Sequence, residues 1–258
     1  MQITPPYGFS EVVPLTKTHR VRLLQGRMVP PVFRSMTLMP ISCSEFPLAS
    51  RDYPLAFISS DQGKTYAPMI VLGFESRQNL FVQPDKMWDA TVYFPAYVRR
   101  YPFCMTRITV NGEMRPERVT CVEKQSLDDQ GAALFDRQGN AAPEWQMLEK
   151  LLFEYEADMA RTEEMCQLLT QHQLLDPFVM QAVPNQGQPL QMTGLFRIAE
   201  AKLAALNAAI LKELVQKNIL ACLYAQLFSL GNFERLLGRR AAHGPSPAAS
   251  QPKMKKLN

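Results

Sequence analysis

The sequence predicts an α+β protein: a β-rich N-terminal part with short helices, packed against a mainly helical C-terminal part with an inserted strand pair. Three observations predict it. Up to about residue 142, short apolar runs alternate with turn-forming dipeptides. After Pro143, apolar residues recur at helical spacing. Near 178–198 two β-compatible runs interrupt the helices.

Residues 1–18 hold Pro5, Pro6 and Pro14 with little periodicity and read as an extended arm. The β-rich part follows, over 19–142. Ser44 is placed to cap a short helix reaching toward Arg51, limited by Pro47 to about a turn or two. The runs at 54–60 and 66–74 flank Asp61-Gln62-Gly63-Lys64, the pattern of a hairpin, and Asn79–Val82 reads as a further short strand. The runs at 103–110 and 117–123 flank Asn111-Gly112, a strong turn dipeptide.

The helical part spans 143–238. Trp145, Leu148, Leu152, Tyr155, Met159, Cys166 and Leu169 form the stripe of a long amphipathic helix ending before Pro177. Strands at 178–183 and 189–198 flank Pro184-Asn185-Gln186-Gly187. A second helical region carries Leu203, Leu206, Ile210 and Leu214 on one stripe, with breaks expected near Lys217-Asn218 or Gly231-Asn232. Residues 239–258 read as a disordered basic tail.

Composition removes several function classes. The chain has 258 residues, 47% hydrophobic and 20% charged, which is ordinary globular usage. Its net charge of +4 is located in the tail: Arg239, Arg240, Lys253, Lys255 and Lys256 have no acid among them. Without those five, the 28 basic residues fall to 23 against 24 acidic ones, so the body lacks the basic face of a nucleic-acid binder. No run approaches the ~18 apolar residues of a membrane span, and the N-terminus has no signal-peptide pattern. Five well-separated cysteines in apolar contexts read as reduced thiols, and a cytoplasmic location is expected.

The familiar chemical motifs are missing. Three histidines, at 19, 172 and 243, cannot build a His-rich metal site, and neither CxxC nor HExxH occurs. Gly63-Lys64-Thr65 resembles the end of a phosphate-binding loop, but Ile58 stands where the first glycine belongs, so a turn is the better account. Asp136 with Gly139 makes another turn rather than a calcium loop. No metal or cofactor is expected. Cys104 and Cys121 in strands read as small buried hydrophobes, not nucleophiles.

The densest segment is Trp88–Phe103, with six aromatics, two prolines and the adjacent pair Arg99-Arg100. Pro95 suits the first turn of a short helix and Pro102 stops it. In such a helix Tyr97 and Tyr101 would stack at i, i+4. Adjacent arginines would point about 100° apart, so they would not share one ligand. One is expected to pair with Glu45, Asp52 or Asp89, and the other to be free for an anion or partner. The block is either a packing hub or a recognition site. In the second case its candidate residues are Trp88, Tyr97, Arg99, Arg100 and Tyr101, joined by His19 and Arg20.

These residues also carry a resemblance. Lys17–Arg20, Glu45-Phe46, Tyr53-Pro54, Val71–Gly73, Asn79–Phe81, the block Tyr93–Phe103, Leu134–Asp136 with Gly139, and Leu223–Asn232 together resemble the SapC family of bacterial proteins. Phe94 before Pro95 departs from the family's Tyr-Val-Pro-Ala run. The resemblance covers about residues 15–237 and implies a link to surface-layer proteins. It brings no catalytic residues with it. The resulting expectation is a non-enzymatic accessory protein that binds a protein or peptide. Its rivals are an enzyme, or enzyme partner, acting on an anionic small molecule or peptide, and a cytoplasmic ligand-sensing regulator.

Overall fold

The structure is a computed structural model and describes residues 2–110, 113–182 and 189–243. Along the first half run β1 (Gln2–Ile3), β2 (Val12–Pro14), β3 (Arg20–Val21), β4 (Leu38–Pro40), α1 (Phe46–Ala49), β5 (Leu55–Ile58) and β6 (Ala67–Val71). They are followed by α2 (Ala96–Arg99), β7 (Phe103–Val110), β8 (Glu113–Glu123) and β9 (Ala132–Ala133). The second half holds α3 (Pro143–Gln171), β10 (Leu175–Ala182), β11 (Leu190–Ile198), α4 (Glu200–Ala204), α5 (Ala208–Gln216), α6 (Ile219–Ser229) and α7 (Asn232–His243). The class is α+β, with strands mostly early and helices mostly late.

The strands form antiparallel sheets. One has the order β1-β7-β8-β2, so the N-terminal arm is extended because it flanks the long β7–β8 hairpin on both edges. A second has the order β10-β11-β5-β6-β4. Here the late hairpin joins the early one, with Leu195 and Phe196 opposite Ile58 and Phe57. β3 and β9 make a small separate pair. The turns Asn111-Gly112 and Pro184–Gly187 lie outside the described residues, as does 244–258.

Buried polar side chains explain how α6 seats on the second sheet. Gln226 accepts from the Ile198 N–H and donates to the Leu55 carbonyl, while Ser229 Oγ accepts from the Leu55 N–H at 2.9 Å. Asn232 donates to the carbonyls of Ser50 and Tyr53. Spaced by three, these residues satisfy backbone groups at the end of β11, in the turn after α1 and at the start of β5 that would otherwise be buried unpaired. This accounts for the polar positions within Leu223–Asn232.

Two apolar clusters fill the interior. The larger runs between the five-stranded sheet, α1, α3 and α6, and the smaller joins Val21, Phe103, Val122, Leu134, Trp145 and Leu152. Along α3 the buried stripe adds Asp158 and Thr162 to the expected apolar residues. Asp158 accepts from the Ser44 N–H and from Ser44 Oγ and Arg161. Burial pushes its carboxyl up, but these hydrogen bonds outweigh it and hold it below the usual range.

Several local expectations need correction. Ser44 is therefore not a cap. Ser42 takes that place, with the buried Glu45 carboxylate accepting from its N–H and its Oγ at 2.7 Å. Asn79–Val82 is no strand. Asn79 donates to the Phe33 carbonyl and accepts from the Phe81 N–H, which leaves one bridge, Val82 to Trp88. An extra helix break falls at Asn207, whose side chain accepts from the Ile210 N–H and caps α5. Residues 239–243, expected to be disordered, are the last turn of α7. Arg239 pairs with Asp89 at 2.7 Å and Arg240 with Glu75 at 2.6 Å.

The turns match expectation. Asp61 accepts from the N–H groups of Lys64 and Thr65, with Gly63 at φ +87°, and Asp136 accepts from Gln138 and Asn140 before Gly139 at φ +84°. The five cysteines are unpaired thiols, and burial pushes Cys104 up to about 12 and Cys121 up to about 11. Among the described residues no helix is long and apolar enough to cross a membrane.

Candidate functional site: a pocket over Arg100

α2 is one turn long because its ends are fixed from outside. Pro95 sits at the N-cap, and the first free N–H, of Ala96, donates to Glu45 Oε1 at 2.8 Å. Tyr93 Oη donates to the same carboxylate. Asp52 accepts from the Tyr93 N–H, and Asp89 accepts from Arg239. All three carboxylates expected to hold an arginine of the pair thus have other partners.

Arg99 and Arg100 diverge as helical geometry requires. Arg99 is exposed; its Nε donates to the Phe94 carbonyl and its Nη2 to Tyr93 Oη at 3.2 Å. Arg100 is 2% exposed. Its guanidinium carbon lies 4.4 Å from the Tyr97 ring centre, 4.7 Å from that of Tyr155 and 5.2 Å from that of Phe9. Its Nε has no hydrogen-bond partner among the described residues, and no carboxylate pairs with it there. The expected internal ion pair is replaced by a cage of aromatic faces.

Arg100 lines a cavity of about 370 Å³ between the two larger sheets. Met105 and Arg118 line it from β7 and β8, Pro68 from β6, and Tyr155, Glu156, Met159 and Glu163 from α3. The N-terminal arm closes one side at Pro6 and Tyr7, held by a hydrogen bond from Tyr97 Oη to the Tyr7 carbonyl. Arg118 and Glu156 form an ion pair on the wall. Burial pushes the Glu156 carboxyl up against the pull of Arg118 and Arg100. Burial also pushes the Tyr97 hydroxyl up to about 12, and Tyr155 higher still, against the same cation.

Of the sequence-derived candidates, the pocket brings Tyr97 and Arg100 together. Trp88 is buried elsewhere, donating its Nε1–H to Tyr53 Oη at 2.8 Å. Tyr101 packs on Phe9 and Phe33, as Tyr97 does, so the two tyrosines share partners instead of stacking on each other. His19 accepts from the Thr16 N–H, and Arg20 lies in β3 opposite Ala133; none of the pocket wall comes from that pair. Sequence reasoning missed Arg118, Glu156 and Glu163 as pocket groups and took Tyr155 for core alone. The available signal was an acid at 156 and another at 163, one heptad apart beside the apolar stripe of α3.

Fold and cavity together define an α+β protein of antiparallel sheets that meet over a buried-arginine pocket. The chain belongs to the SapC family, whose profile matches residues 16–236. No curated protein and no solved structure matches it.

Proposed function

We propose that this SapC-family protein is a non-enzymatic binding protein whose ligand is an anionic small molecule or peptide held at Arg100. One observation carries the reading: a cation 2% exposed, bordering a ligand-sized cavity, has no carboxylate partner among the described residues. Burying an unpaired charge is costly, and an incoming anion would remove that cost while accepting charge-assisted hydrogen bonds.

Two of the neighbouring groups, Tyr97 and Cys166, suit binding better than proton transfer. Burial pushes Cys166 up to about 12, as it does Tyr97, so both hold their protons at neutral pH. The Tyr97 hydroxyl is already donated to the Tyr7 carbonyl and Cys166 keeps its thiol proton, so neither supplies a base or nucleophile. On this reading, the surface-layer link implied by the family resemblance is exerted through a bound peptide or protein segment.

Thermal unfolding with 3-phenylpropionate or inorganic phosphate tests the proposal. A saturating anion, near 100 times its Kd, stabilises by about 2.7 kcal/mol, a shift of several degrees in a chain of this size. Arg100→Met should lose the response. An equal response in that variant, or none in the wild type to either anion, overturns the reading.

A further inference from the structure

We infer that the pocket takes a zwitterion, a free peptide of two to three residues, with its C-terminal carboxylate on Arg100 and its N-terminal ammonium on Glu163. The inference rests on the anion-binding reading above and adds the second pole.

The charges lining the cavity are Arg100, Arg118, Glu156 and Glu163. Arg118 and Glu156 neutralise each other. That leaves the buried Arg100 and the exposed carboxylate of Glu163 at the cavity, neither with an ion-pair partner among the described residues. A dianion would find only one free cation and would face Glu163. A simple monocarboxylate would leave Glu163 unused. A ligand carrying one charge of each sign matches both poles.

The spacing sets the ligand's length. Arg100 stands over the Tyr155 ring, and Glu163 lies eight residues further along the same helix. At 1.5 Å per residue, that separation is about 12 Å along the helix axis. About 3 Å at each end is taken up by hydrogen bonds, leaving roughly 6 Å, or somewhat more where the side chains splay. An extended chain advances at most about 3.6 Å per residue, so two to three residues bridge the poles. A single amino acid is too short.

The wall between the poles suits peptide side chains. Met159 lies between Tyr155 and Glu163 on α3, and Met105 and Pro68 also line the cavity. Methionine adapts its shape to different apolar groups, so this wall would tolerate varied side chains while the two ends stay fixed.

Isothermal titration of the full chain with alanyl-leucyl-alanine, its N-acetyl form, its C-terminal amide and 3-phenylpropionate tests this. The free tripeptide should bind at least about tenfold more tightly than its N-acetyl form, the order of one charge-assisted hydrogen bond. Glu163→Gln should abolish that difference, and Arg100→Met or the C-terminal amide should abolish binding. If free and N-acetyl peptides bind alike, or only 3-phenylpropionate binds, the zwitterion is wrong but the anion site stands. If none of these carboxylates binds, the zwitterion fails; if inorganic phosphate also gives no response, or Arg100→Met binds the ligands unchanged, the anion site fails with it.

Discussion

Arg239, a quarter exposed, and Arg100, 2% exposed, both sit over aromatic rings with opposite outcomes. Each guanidinium carbon lies 4.4 Å from an aromatic ring centre, Phe81 for Arg239 and Tyr97 for Arg100. Arg239 also meets the Asp89 carboxylate at 2.7 Å and so clamps α7 onto the loop before α2. Arg100 meets no such group. An arginine among aromatics is therefore a completed seam where the chain supplies the counter-charge, and a receptive site where it does not. Composition alone does not separate the two cases, because the deciding carboxylate arrives from a distant part of the chain.

If the seam is a sealed structural region, its core should be the most expensive part to disturb. Trp88 is 1% exposed, stacks on Phe81 and hydrogen-bonds Tyr53. Trp88→Ala should lower unfolding stability by about 3–5 kcal/mol, measured by urea denaturation. A loss below about 1 kcal/mol would contradict a sealed seam and end the comparison.

The ion pair above that core should show a smaller, pH-dependent effect. Burial pushes Asp89 up, but hydrogen bonds from Thr91 and the Arg239 guanidinium outweigh it and hold the carboxyl at about 2. A carboxyl depressed on folding stabilises fully above its unfolded pKa, near 4, and that contribution is lost as pH falls toward 2. Its size is on the order of 1–2 kcal/mol after allowance for solvent screening. Asp89→Asn should lose about this much at pH 7 and show a correspondingly flatter acid limb. Equal acid profiles for the two proteins would mean that Asp89 does not hold the seam.

At the pocket the sign reverses. Arg100→Met removes a buried, uncompensated cation and retains an apolar chain of similar length. The ligand-free variant should gain about 1 kcal/mol, the lost cation–π attraction offsetting part of the relieved desolvation. A loss of 2 kcal/mol or more would show that Arg100 is a structural arginine like Arg239.

The sequence made much of the frame legible and little of this contrast. The 29-residue helix α3 was readable because its buried residues repeat every three or four positions. The hairpins were readable from Asp61–Lys64 and from the paired β-compatible runs. The divergence of Arg99 and Arg100 followed from 100° per residue alone. The partners did not follow. Glu45 was expected to take an arginine, yet helix α2 needed its carboxylate for an unpaired N–H. The pocket draws Arg118, Tyr155 and Arg100 from three separate elements, and no local pattern encodes that meeting. The last turn of α7 read as tail because its stabilising partners, Glu75 and Asp89, lie about 150 residues or more away in the chain.

Arg99 supplies the smallest effect and the most direct control. It is the neighbour of Arg100, carries the same side chain and sits on the same helical turn, but it faces solvent and contributes nothing to the pocket wall. Its contacts, with the Phe94 carbonyl and with Tyr93 Oη at 3.2 Å, are exposed, and the Tyr93 ring centre is 6.0 Å from its guanidinium carbon. Exposed interactions of this kind contribute little, so Arg99→Ala should change stability by no more than about 0.5–1 kcal/mol. It should leave the response to 3-phenylpropionate intact, because Arg99 lies outside the pocket wall, although net charge falls by one just as it does in Arg100→Met. Loss of binding in both variants would mean that the anion senses only the general positive field around α2. Loss in Arg100→Met alone ties recognition to the one guanidinium enclosed by Phe9, Tyr97 and Tyr155.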